Sequence, residues 1–159
     1  MSKQFTFLDL ASVLRVEGGD LFWIARRGSA RAGKRAGRFD RYGYITLRFD
    51  GVDLLAHRVI WLLTHGRWPE GQIDHKDGCR SNNLPSNLRE CNNSENRANT
   101  KPNGKFKGVV RLPHGRYQAQ CGKKYLGSYD TEVEAAFAYD AEAVARYGEF
   151  ARPNFGGAA

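Results

Sequence analysis

Asp74 and His75 stand side by side, Asn87 follows twelve residues after the histidine, and Asn96 comes nine after that. Histidine has an unperturbed pKa of about 6.5, so it can take a proton from water near neutrality without first being buried. Asp74 and Asn96 offer one charged and one neutral oxygen, too few to close a cage around a cation. Such a pair suits Mg²⁺, which keeps several waters and completes its shell with phosphate oxygens.

The elements that must position these residues lie in QIDHKDGCRSNNLPSNLRECNNSENRAN, residues 72–99. Pro85 and the Asn/Ser run before it read as a loop, and Asn87-Leu88-Arg89 as a short strand. Asn92 or Asn93 reads as a helix cap, with Glu95 three residues after Asn92, where its side chain can reach back to the cap. The order is strand, loop, strand, helix.

That order of residues and elements resembles the ββα-metal site of HNH endonucleases, in the branch where asparagine replaces the last histidine. The resemblance implies phosphodiester hydrolysis with His75 as general base. It implies Asp74 and Asn96 as ligands of a divalent cation, Mg²⁺ or Mn²⁺. It gives Asn87 the task of holding the loop and orienting His75 rather than binding metal.

Composition agrees with a nucleic-acid partner. The 159 residues carry 25 Lys and Arg against 17 Asp and Glu, a formal net charge of +8. No apolar run approaches the roughly 20 residues of a membrane span, and the first twenty residues lack a secretory signal pattern. A cytoplasmic protein of a bacterial or phage-infected host cell is expected. Cys79, Cys91 and Cys121 are odd in number and form no CxxC pair, so reduced thiols are expected rather than disulfides or a zinc knuckle.

In chain order, Phe7, Leu10, Val13 and Leu14 give a short amphipathic helix over residues 5–16, ended by Gly18-Gly19. Leu21 to Ile24 reads as a strand. Arg26, Arg27, Arg31, Lys34, Arg35, Arg38 and Arg41 then form a basic stretch, either a solvated loop or a phosphate-tracking arm. Asp50-Gly51 between two apolar runs is a hairpin signal. Residues 57–65 read as a helix with Val59, Leu62 and Leu63 inward and Gly66 beyond its end. His57 and His65 are assigned structural roles, and Trp61 and Trp68 core positions.

From Arg97 to Tyr129 there is no acidic residue, while eight are basic. Three strands are expected at 107–111, 117–121 and 125–129. Thr131 and Glu134 form a capping box opening a helix with an apolar stripe of Val133, Phe137, Val144 and Tyr147, ended by Gly148. The segments KGVVRLPHGRYQAQ, YLGSYDTEVEAAFAYDAEAVARYG and PNF resemble an AP2/ERF DNA-binding domain, over about residues 106–155. In that family the sheet lies in the major groove, which implies Lys107, Arg111, Arg116, Gln118, Gln120, Lys124 and Tyr125 as DNA-facing residues. His114 and Tyr125 stand where plant members carry tryptophan, so their sequence preference does not carry over.

The expected fold class is α+β: a β-hairpin and helix region leading into the ββα-metal site, then a three-stranded antiparallel sheet packed on one helix. Residues 1–100 would form the nuclease region (ββα-metal motif about 70–99), 101–105 a linker and 106–155 the AP2-like domain. The expected activity is a homing or phage-type endonuclease that nicks double-stranded DNA as a monomer. The competing readings are a non-catalytic DNA-binding regulator of AP2/ERF type and an RNA-directed nuclease.

Overall fold

The computed structural model describes residues 5–156, and its contacts divide the chain into two units, Met1–Cys91 and Asn92–Ala159. The architecture is α+β throughout, with four small antiparallel sheets.

The first unit begins with α1 (Phe7–Ala11), capped by a Thr6–Asp9 capping box. The helix is shorter than its apolar spacing suggested, because Leu14–Glu17 leaves it to pair as β1 with β2 (Asp20–Trp23). Leu14 and Leu21 are thereby buried from a sheet rather than a helix. The basic stretch is not a plain loop. It contains β3 (Arg35–Ala36) and β4 (Arg38–Phe39), and its charges are partly paired, Arg27 with Asp50 and Arg35 with Asp20.

β5 (Ile45–Phe49) and β6 (Val52–Leu55) form the expected hairpin, with Asp50 at φ 47° and Gly51 at φ 83°. These left-handed values match the twist of flanking strands. α2 (Ala56–His65) follows and stops at Gly66 in the αL conformation. Its Val59, Ile60 and Leu62 are buried in the main core with Leu10, Leu14, Leu21 and Leu47. β7 (Gln72–His75) and β8 (Leu88–Cys91) make a two-stranded hairpin. Ile73 and Leu88 fix it to that core, and Arg58 of α2 donates to the carbonyls of Gly71 and Pro69 just before or at its start.

The second unit opens with α3 (Asn93–Ala98). Its sheet has the order β11-β10-β9, from β9 (Val109–Arg111), β10 (Tyr117–Cys121) and β11 (Lys124–Tyr129). Across the sheet runs α4 (Glu132–Tyr147), opened by the Thr131–Glu134 capping box. The expected apolar stripe of α4 is not its buried face. Val133, Phe137 and Val144 are 43%, 57% and 52% exposed, whereas Ala135, Ala136, Tyr139 and Ala143 are buried. Methyl side chains let the helix axis approach the sheet more closely than a stripe of large residues would. Gly108 meets the same demand from the other side: at φ 73°, a Cβ there would lie 2.0 Å from the Tyr139 ring.

Among the described residues no disulfide joins the cysteines, of which Cys79 is exposed and Cys91 and Cys121 are buried. Among the described residues no helix is long and apolar enough to cross a membrane.

Candidate functional site

β7 ends in Asp74 and His75, which alternate across the strand and so point to opposite faces. Both are buried, at 6% and 5% exposure, because the hairpin is covered on both sides. Asp74 is paired in register with Arg89 of β8. The Arg89 Nε and Nη2 donate to Asp74 Oδ2 at 2.9 and 2.8 Å. The guanidinium thus supplies the buried carboxylate with two charge-assisted donors.

The His75 ring is held from a different direction. Its Nε2 lies 2.9 Å from Asn83 Oδ1, and Asn83 is only 2% exposed. An amide oxygen accepts, so Nε2 is the donor of this contact. The His57 ring packs edge-on at 5.2 Å, and Tyr44 lies 5.4 Å from His57 and 6.2 Å from His75. Burial, reinforced by His75 and Arg58, lowers the His57 pKa from 6.5 to about 4. His57 is therefore a neutral wall at physiological pH.

The loop between β7 and β8 is braced by Asn87. Its Nδ2 donates to Asp77 Oδ1 at 3.0 Å and to the Asn82 carbonyl at 2.7 Å, while its Oδ1 accepts from the Asp77 amide at 3.1 Å. The Asn87 carbonyl accepts from the amide of Lys76, the residue after His75. Burial opposes ionisation of Asp77, but hydrogen bonds from Asn82, the Cys79 amide and Asn87 outweigh it and hold the carboxyl below its usual range. Asn87 thus touches the loop, and the ring contact of His75 is made by Asn83. Sequence reading passed Asn83 over as one of several loop asparagines, and likewise placed His57 outside the site.

Asn96 lies on α3, in the second unit, on a helix whose start is fixed by Asn92. The Asn92 Oδ1 accepts from the amides of Ser94 and Glu95, and Glu95 returns the bond to the Asn92 amide at 2.8 Å. Among the described residues no three His, Cys, Asp or Glu side chains gather in ligating positions. Carboxylate and amide oxygens are, by type, donors that Mg²⁺ and Mn²⁺ take together with water, whereas zinc prefers a closed His/Cys set.

The seven candidate DNA-facing residues divide. Ala119 and Cys121 of β10 are buried towards α4, so Gln118 and Gln120 belong to the opposite face. Their side chains touch at 3.4 Å. Cross-strand partners share a face, and Gln120 pairs with Tyr125, which is 60% exposed. Arg116 donates to the Ser128 carbonyl and pairs with Asp130. Arg111 pairs in register with Tyr117, one step out of phase with Gln118. Lys124 is engaged by Glu142 of α4 at 2.7 Å. Lys107 is half-buried and its ammonium donates to the carbonyls of Arg97, Ala98 and Thr100 at the end of α3.

Comparison with known proteins places these elements. Residues 54–98 match the HNH endonuclease family model. The chain is 34% identical over 112 residues to an uncharacterized HNH endonuclease of Acanthamoeba polyphaga mimivirus, covering 67% of this chain and 60% of that protein. It is 45% identical over 58 residues to an ethylene-responsive transcription factor of Oryza sativa subsp. japonica, covering 33% of this chain and 18% of that one. A second such factor, from Arabidopsis thaliana, is 37% identical over 82 residues, covering 46% of this chain and 48% of the factor. The chain therefore spans less than two thirds of the length of each of these relatives. A segment that matches the HNH endonuclease family model, residues 54–98, is thus joined to a segment similar to ethylene-responsive transcription factors.

Proposed function

We propose that the chain is a divalent-metal-dependent DNA endonuclease in which His75 is the general base and Asp74 and Asn96 are the metal ligands. The observation that carries this reading is the buried His75–Asn83 hydrogen bond inside the HNH-matched segment, since it fixes the orientation of the ring through Nε2. The His75 Nδ1 takes a proton from the water that attacks the scissile phosphorus. The cation, when bound, offsets charge on the non-bridging and leaving oxygens of that phosphate. Arg89 orients the Asp74 carboxylate, and Asn87 with Asp77 holds the loop that follows His75.

In the same reading, residues 1–100 cut, 101–105 join and 106–155 choose or hold the site through Gln118, Gln120, Tyr125 and the basic residues around them. One general base and one cation site attack one phosphodiester at a time, so a monomer nicks. The test is supercoiled plasmid incubated with Mg²⁺ or Mn²⁺, with and without chelator. Nicked circles should accumulate first, and chelator or His75→Ala should stop them. Metal-independent cleavage, or undiminished cleavage by His75→Ala, would remove the proposed mechanism. DNA binding with no cleavage under any cation would favour a regulator.

A further inference from the structure

The second unit contains a cleft of about 550 Å³ between α3, the β10–β11 turn and the end of α4. Its size falls within the roughly 300–1,000 Å³ of ligand-holding pockets. Four of its lining residues are basic, Arg97, Lys107, Lys123 and Arg146, and none is acidic. Lys107 is spent on the α3 carbonyls and shapes the wall rather than offering charge. Arg97, Lys123 and Arg146 are exposed, come from three different elements, and have no carboxylate partner among the described residues.

A small anion would call for convergent, desolvated donors. Exposed cations spread over three elements instead suit a polyanion, whose phosphates are bound additively as condensed counterions are released. Arg97, on the wall of the cleft, directly follows the proposed ligand Asn96 on α3. That helix is anchored to the AP2-like core at its far end. The Arg152 amide donates to the Ala98 carbonyl, and Lys107 is tied through Asn154 to Asp140 of α4. The wall carrying Arg97 is thus set by the same core as the walls carrying Lys123 and Arg146.

We propose that this cleft is a channel for the sugar–phosphate backbone of one DNA strand, with Arg97, Lys123 and Arg146 as its phosphate contacts. It is a second DNA contact area beside the sheet face that presents Gln118, and Gln120 lines the border between the two. The inference rests on the nuclease reading above for its ligand, and its test distinguishes the two.

Arg97→Gln, Lys123→Gln and Arg146→Gln, singly and combined, are titrated with duplex DNA by fluorescence anisotropy over a series of KCl concentrations without divalent cation. Each substitution should lower the slope of log K against log salt by about 1, and the triple variant by about 3. Affinity should fall for all duplex sequences alike. Arg15→Gln with Arg48→Gln, which removes charge elsewhere, should change the slope less per substitution. In the wild-type chain, duplex DNA should protect Lys123 from acetylation while 10 mM inorganic phosphate should not. A wild-type slope retained by the triple variant would overturn the channel while leaving the nuclease reading standing. Equal protection by inorganic phosphate would make the cleft a small-anion site and overturn the strand assignment. If the wild-type chain bound no DNA, both readings would fail together.

Discussion

The His75 imidazole Nε2 lies 2.9 Å from the Asn83 amide oxygen, with both side chains buried. A ring oriented through a hydrogen bond to a buried amide depends on that amide for more than packing. Asn83→Ala should lower kcat for plasmid nicking by about 10- to 100-fold, as loss of an orienting partner does at metal and triad sites. His75→Ala should lower it further, by about 10²- to 10⁴-fold. Neither should alter KM or DNA affinity appreciably. Asn83→Ala cleaving at the wild-type rate would show that the ring is oriented by other contacts.

His57 makes stability depend on pH. Its folded-state pKa of about 4 lies below the unfolded value of 6.5, because burial and the neighbouring His75 and Arg58 disfavour the imidazolium. The unfolded chain therefore binds more protons between those values. The contribution of the neutral ring is complete above pH 6.5 and is lost as pH falls towards 4, by roughly 3 kcal/mol in all. Urea unfolding at pH 7, 5.5 and 4.5 should show this decline, and His57→Leu should flatten it whatever its absolute stability. A decline of equal steepness in the variant would place the titrating group elsewhere.

The Asp74–Arg89 pair separates stability from metal dependence. The Arg89 side chain is 11% exposed and that of Asp74 is 6% exposed. Removing the guanidinium in Arg89→Ala leaves a buried carboxylate with fewer donors, a change that costs about 3–5 kcal/mol at comparable sites. The expected result is a clearly lower urea midpoint for Arg89→Ala. Asp74→Asn keeps the volume and a neutral oxygen, so it should fold while needing a higher cation concentration for half-maximal cleavage. An unchanged Mg²⁺ titration in Asp74→Asn would exclude Asp74 as a ligand.

The features legible in the sequence were those with local causes. Asp50-Gly51 specifies its own hairpin, and Asn92 with Glu95, like Thr131 with Glu134, closes its cap within one helical turn. What escaped depended on distant partners. Leu14 and Val16 continue a helical spacing, yet they form β1 because β2 is available to pair with them. In α4 the large apolar residues were the conspicuous ones, but the sheet accepts only the alanine face. Asn83 differs from Asn82 in nothing that sequence displays. Only the path of the β7–β8 loop puts one against His75 and the other against Asp77.

Strand register divides the residues expected to read DNA. Gln118 and Gln120 sit on the sheet face turned away from α4, with Tyr125 beside Gln120. Glutamine can pair bidentately with an adenine edge, and each such pair discriminates by about 1–3 kcal/mol. Lys124 is instead drawn to Glu142 on the helix side. Substituting Gln118→Ala or Gln120→Ala should therefore relax preference at one or two base positions, with little change in affinity for unrelated DNA. Lys124→Gln should leave the preference profile unaltered. The comparison is made by selecting bound duplexes from a random-site library and sequencing them for each variant. A profile shifted by Lys124→Gln and indifferent to both glutamine substitutions would mean that the other face of the sheet, or its edge, meets the groove.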